Sequence, residues 1–164
     1  MSHAIEMWKT AHIVSAAILF GTGLGIAFFC WSGTRGALRK GEIGALREVL
    51  RLTVVADTYF TAPAVVFQAV SGVVLMHLLG WPFVSAWSIA VWTLFILTGA
   101  CWLPVVALQI RLWREAERAS SLQALPERFH RWFRWWLALG VPAFGAVLAI
   151  FYLMVAKPLS LGGF

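Results

Sequence analysis

Four histidines occur in the 164-residue chain, and two stand where an imidazole could hold a metal. His12 lies one turn inside the first long apolar stretch, behind Trp8-Lys9-Thr10-Ala11, and His77 closes a second apolar stretch just before Gly80-Trp81-Pro82. Neutral imidazole binds iron well, and haem iron takes a His together with a second His, a Met or another axial ligand. In helical bundles such sites are assembled from side chains on facing helices. His12 and His77 are therefore the candidate clamp for a haem b, with Met154 and Lys157 in reserve as ligands. Lys9 and Lys157 are the candidate partners of its propionates, and the 12 Phe and 10 Trp residues would supply apolar walls. A plainer reading stands beside this one: polar side chains near helix ends reach to the interface, and aromatic belts occur there in any case. His12 carries the argument further than His77, because an ionisable group inside a span is costly and marks a functional hypothesis by default.

These residues can meet only if the elements that carry them cross a membrane. Hydrophobic residues make up 61% of the chain and charged residues 12%, against about 45–50% and about 25% in soluble domains. Four apolar stretches, at about 10–31, 59–79, 87–110 and 135–155, each approach the roughly 20 residues needed to cross a bilayer as a helix. The first is too long for a signal-peptide core and lacks a small-residue cleavage pattern, so it is read as a span. Little polar sequence remains for a separate soluble domain, and a single transmembrane domain over 1–164 is expected.

The charge pattern orients these spans. Of 13 Lys and Arg residues, Arg35, Arg39, Lys40, Arg47 and Arg51 lie between the first two spans, and Arg111, Arg114, Arg118, Arg128, Arg131 and Arg134 between the last two. Only Lys9 and Lys157 fall elsewhere. The positive-inside rule puts both basic connections in the cytoplasm of a bacterial inner membrane and both termini on the periplasmic side. The expected fold is an all-α, up-down-up-down four-helix bundle. His12, His77, Met154 and Lys157 would then share the periplasmic leaflet. The pI of about 10.2 is accordingly a topology signal, with attraction to anionic lipid as a second effect, and no nucleic-acid partner is expected.

Several local features refine this outline. Gly21 and Gly25 form a GxxxG pair, which suits close helix packing or room for a flat cofactor. Residues 44–56 show helical apolar spacing through Leu46, Val49, Leu50, Thr53 and Val54, an amphipathic lead into the second span. Asp57, Thr61 and Pro63 mark that span's entry. Gln68, near its middle, needs a partner in protein or a cavity and is a further candidate for cofactor contact. The uncharged connection at 80–85 predicts an antiparallel hairpin, Pro104 predicts a kink, and Ser120-Ser121 interrupts the second basic connection. The cluster 129–136, rich in aromatic and basic residues, reads as an interface anchor that includes His130. Cys30 and Cys101 read as small buried hydrophobes. No HExxH, P-loop, nucleophile elbow or paired intramembrane carboxylate occurs, so hydrolysis and phosphoryl transfer lack their parts. Nor does the pattern show the buried charge and broken helices expected of a transporter.

Two ends of the chain, Trp8-Lys9-x-x-His12 and Val155-Ala156-Lys157-Pro158, resemble the HemJ-type protoporphyrinogen oxidases, small four-helix bacterial membrane proteins associated with b-type haem. That resemblance implies a haem ligand at His12 and matches Lys157 to the family's C-terminal lysine. The chain departs from the family at the third span, where Ala86-Trp87-Ser88-Ile89 replaces a His/Lys-bearing entrance, so haem binding is carried further than porphyrinogen oxidation. Over nearly all its length the chain is similar to an uncharacterised family of predicted bacterial integral membrane proteins, through Gly21-Thr22-Gly23-Leu24-Gly25-Ile26-Ala27-Phe28-Phe29, Phe60-Thr61-x-Pro63-Ala64 with Gln68, and Cys101-Trp102-Leu103-Pro104-Val105-Val106. The resulting expectation is an inner-membrane b-type haem protein with an electron-transfer or oxidoreductase role. The alternative is a non-enzymatic accessory subunit or a quinone or lipid binder without haem. Membrane lipids, a redox partner and a second copy of the chain are the expected partners.

Overall fold

The first apolar stretch does not stop at its basic flank. The computed structural model describes residues 2–156, and α1 runs unbroken over Ser2–Lys40, about 58 Å at 1.5 Å per residue. Gly41, at φ 78°, reverses the chain, a left-handed conformation that suits a residue without Cβ. α2 (Ile43–Ala56) follows, then a π-helical turn over Asp57–Thr61 and α3 (Ala62–Leu78), which together form one 36-residue rod. Gly80, at φ 66°, opens the next turn. α4 spans Ala86–Arg118 and α5 spans Glu127–Ala156, separated by a short 3₁₀ turn at Leu122–Ala124. The four rods are long and apolar enough to cross a membrane. The chain is an all-helical membrane protein.

The helices exceed the predicted spans chiefly at the basic end. Arg35, Arg39, Lys40, Arg47 and Arg51 sit on α1 and α2 rather than in a loop, and Arg111, Arg114 and Arg118 sit on α4. The amphipathic face read from 44–56 is real: Leu46, Leu50 and Thr53 are buried. Pro104 and Pro142 both lie within helices that continue past them. The π turn has a local cause, since Pro63 cannot supply the N–H that Tyr59 C=O would accept in an α-helix. The wider turn relieves that conflict, and Ala62 N–H bonds back to Asp57 O instead.

Neighbouring rods run antiparallel. α1 pairs with α2 and α3 through Gly33 against Val49, Thr22 with Thr61, and His12 with Ser71. α4 pairs with α5 through Trp87 Nε1–H donating to Leu153 O at 2.9 Å and Arg128 to Glu115 at 2.8 Å. The two hairpins are locked together at the basic end. There Cys30, Ala37, Leu46, Leu50, Val105, Leu108, Leu112, Ala116, Phe129 and Trp136 form one buried core. Arg47 fastens it by donating Nε–H to Ala116 O (3.0 Å) and Nη2–H to Ala119 O (2.7 Å), carbonyls left open at the end of α4. Toward the termini large apolar side chains such as Ile13, Val66, Ile89, Val141 and Val155 face outward, as lipid-facing residues do.

The GxxxG expectation is corrected by this packing. A Cβ added at Gly21 or Gly25 would meet nothing within 4 Å, so neither brings a neighbouring helix of this chain close. The close approach is at Gly33, where an added Cβ would lie 2.8 Å from Val49 Cγ2. The small residue that matters is the one opposite a β-branched neighbour.

Candidate functional site

His12 points from α1 onto α3. Its Nδ1 lies 2.6 Å from Ser71 Oγ, and Ser71 is fully buried. The Ser71 hydroxyl has one proton, and Phe67 O lies within its reach at 2.6 Å as His12 Nδ1 does. With the Ser71 proton on Phe67 O, the imidazole proton sits on Nδ1 and Nε2 keeps its lone pair; with it on Nδ1, the ring takes the other tautomer. Gln68, three residues before Ser71, donates Nε2–H to His12 O at 2.7 Å, and Gly72 leaves room for the ring, whose Cε1 would lie 3.7 Å from a Cβ there. Trp8 stacks on Phe67 one turn away, with centroids 6.2 Å apart. His12 is thus a half-buried imidazole with its orientation set by α3.

The other predicted residues are less drawn together. His77 is exposed. It lies six residues beyond Ser71, about 9 Å further along α3 and about 120° round from the face that meets His12. Met154 is half-buried near the end of α5, and Lys9 is exposed. Glu6 lies 3.6 Å from exposed His3 rather than against Lys9. Lys157 lies outside the described residues. His130 is exposed with its ring edge-on to Phe129. Among the described residues no three His, Cys, Asp or Glu side chains group as a metal site would require.

A second polar site was not legible as one. Asp57, read from the sequence as the marker of a span entry, is 5% exposed on the π turn, within the rod. Trp102 Nε1–H from α4 donates to its Oδ1 at 3.3 Å. Gln109, 3% exposed one turn below Val105, donates Nε2–H to Oδ2 at 3.2 Å, and its Oε1 accepts Trp136 Nε1–H from α5 at 3.3 Å. Three rods therefore converge on one carboxylate. A buried charge at an interrupted helix, the combination absent from the sequence reading, is present here. The available signal was that Asp57 is the sole aspartate of the chain and is followed at short spacing by Thr61 and Pro63.

The two sites lie on one seam. On the α2–α3 rod, Asp57, Thr61, Ala64, Gln68 and Ser71 recur at intervals of three and four, so they share a face. On α1 they meet Thr22, Ser15 and His12: Thr61 Oγ1 donates to Thr22 Oγ1 at 3.3 Å, and Ser15 Oγ donates to Ala64 O at 3.3 Å. The seam between these apolar rods is polar along much of its length.

No curated protein and no solved structure was found to match the chain. A family model matches residues 6–158, almost the whole of it, and the chain belongs to the family described as "Predicted integral membrane protein (DUF2269)".

Proposed function

We propose that the protein is a b-type haem protein of a bacterial inner membrane, with an electron-transfer or oxidoreductase role, in which His12 supplies an axial nitrogen near the periplasmic face. The observation that carries this reading is the placement of the His12 ring. Haem-ligating histidines commonly donate one ring N–H to a fixed acceptor and present the other nitrogen to iron. His12 has the geometry for it: Nδ1 lies 2.6 Å from the buried Ser71 Oγ, and a proton on Nδ1 leaves Nε2 free for iron. His3, His77 and His130 are exposed by comparison. The donor chemistry fits haem iron, and a bound haem would supply one-electron chemistry. Ser71 and Gln68 hold the ligand helix against α3, and Trp8 stacked on Phe67 supplies an apolar wall one turn away. His77 and Met154 are the proposed sources of a second ligand, and the basic clusters at the far end support the orientation.

The test is an optical spectrum of detergent-purified protein expressed with ample haem. A Soret band is expected that is lost in His12→Ala and retained in Ser71→Ala, with haem affinity lowered about 10–100-fold in the latter by loss of the partner on Nδ1. Absence of the band in the wild type overturns haem binding and favours an accessory or quinone-binding role. An unchanged band in His12→Ala overturns the ligand assignment.

A further inference from the structure

Asp57 carries no counter-charge. Its contacts are neutral: the indole of Trp102, the amide of Gln109 and, facing it one turn on, Thr61. From α5 only the Trp136 indole is added, and it reaches Asp57 through Gln109. Among the described residues no Lys, Arg or His acts on the carboxylate. A buried structural carboxylate is normally paired with a cation or fully hydrogen-bonded, because an isolated charge in an apolar medium is heavily penalised. Here the Thr61 hydroxyl and two rather long N–H bonds, at 3.2 and 3.3 Å, are its support. Such surroundings suit a group that is ionised in one state and neutral in another. The neutral acid can keep one acceptor bond to Trp102, and rotation of the Gln109 amide would turn its oxygen toward the new O–H while giving up the bond from the Trp136 indole.

The two directions along the bundle differ. Below Asp57, toward the basic end, Thr53, Cys30, Leu50, Leu108, Leu112 and Trp136 are buried and close the interior. The Thr53 hydroxyl donates to Val49 O at 2.8 Å, and its side chain and that of Thr34 meet the Cys30 thiol, but this polar set stops at Leu46, Leu112 and Phe129, which are fully buried. Above it the α1–α3 seam carries hydroxyls at Thr61, Thr22, Ser15 and Ser71, with the Gln68 amide among them and the His12 ring at the outer end. From Asp57 to Ser71 is 14 residues, about 21 Å along the rod.

We propose that Asp57 is a reversible proton-binding site within the membrane, and that its proton enters from the terminus-bearing side of the protein along the Ser71–Ser15–Thr22–Thr61 hydroxyl seam. The step is a simple protonation: a proton from the aqueous phase on the His12 side neutralises the Asp57 carboxylate, and the reverse releases it to the same side. Nothing in it requires haem, so it stands or falls apart from the ligand role of His12.

The chain itself provides a specific probe. Asp57 is its sole aspartate, so protein grown with aspartate carrying ¹³C in the side-chain carboxyl reports on one group, without any substitution. In vesicles of uniform orientation, infrared difference spectra are recorded after a pH jump on one side of the membrane. A label-sensitive exchange between carboxylate and carboxylic-acid bands is expected after a jump on the His12 side, and several-fold slower after a jump on the basic side. If the labelled carboxyl stays in one form across the pH range in which the protein remains folded, the proton site is refuted. Faster response to the basic side refutes the route. Slowing of the His12-side response in Thr61→Val, with the final extent of protonation kept, is the further result expected of the seam, and an unchanged rate counts against it.

Discussion

Gln109 is the residue whose loss should be felt most strongly for its size. Replacing it with Leu keeps the volume near constant and removes the bridge between α2–α3 and α5. Asp57 Oδ2 and the Trp136 indole N–H, now at 3.2 and 3.3 Å from the amide, would both be left buried without a partner. Each buried group so stranded costs about 1–3 kcal/mol, while measured interhelical hydrogen bonds in membranes average only about 0.6 kcal/mol because the separated helices find other partners. The carboxylate still keeps Trp102 on Oδ1, which argues for the middle of the combined range, so Gln109→Leu should destabilise by about 2–4 kcal/mol. Gln68→Leu is the matched control. It removes one bond to a backbone carbonyl, His12 O at 2.7 Å, and strands no buried charge, so about 0.6–1 kcal/mol is expected. The assay is reversible unfolding in mixed detergent micelles, followed by tryptophan fluorescence and circular dichroism. Adding Trp136→Phe to Gln109→Leu should restore part of the loss, since it deletes one of the stranded donors. Equal losses in Gln109→Leu and Gln68→Leu would refute the reasoning, because the convergence of three helices on Asp57 would then contribute nothing beyond an ordinary contact.

Two further outcomes follow from the packing at the basic end. Arg47→Met should lose about 2 kcal/mol, less than two full charge-assisted bonds because the site is only half-buried, while Arg39→Met on the exposed face of α1 stays within about 0.5 kcal/mol of wild type; Arg47→Lys recovers only part of the loss, since one ammonium cannot reproduce the fork to Ala116 and Ala119. Gly33→Ala should cost about 1–3 kcal/mol by pressing on Val49, with Val49→Ala restoring stability, whereas Gly21→Ala, which meets open space, should be neutral or gain up to about 1 kcal/mol in helix propensity; thermal unfolding of the four proteins decides it.

What the sequence determined by itself is the part of the structure that hydropathy and charge control along the chain. Long apolar stretches must become helices in a bilayer, because no water is present to satisfy exposed backbone groups, and four such rods are found. The amphipathic face of α2 and the special standing of His12 were legible for the same reason, since each depends on a residue's own periodicity or cost. Three-dimensional register was not legible. Whether Gly21 or Gly33 meets a neighbour, what the His12 ring contacts, and whether Asp57 sits at an entrance or inside the bundle all depend on what lies opposite. Ser71, Val49, Trp102, Gln109 and Trp136 settle those questions, and they lie from 16 to 79 residues away in sequence. The helices themselves overran their apolar stretches, because amphipathic and basic turns at one end pack against each other once the rods are paired. Tertiary structure thus turned a polar residue at an apparent span boundary into the convergence point of three helices, for the physical reason that burial belongs to the assembled bundle and not to any single segment.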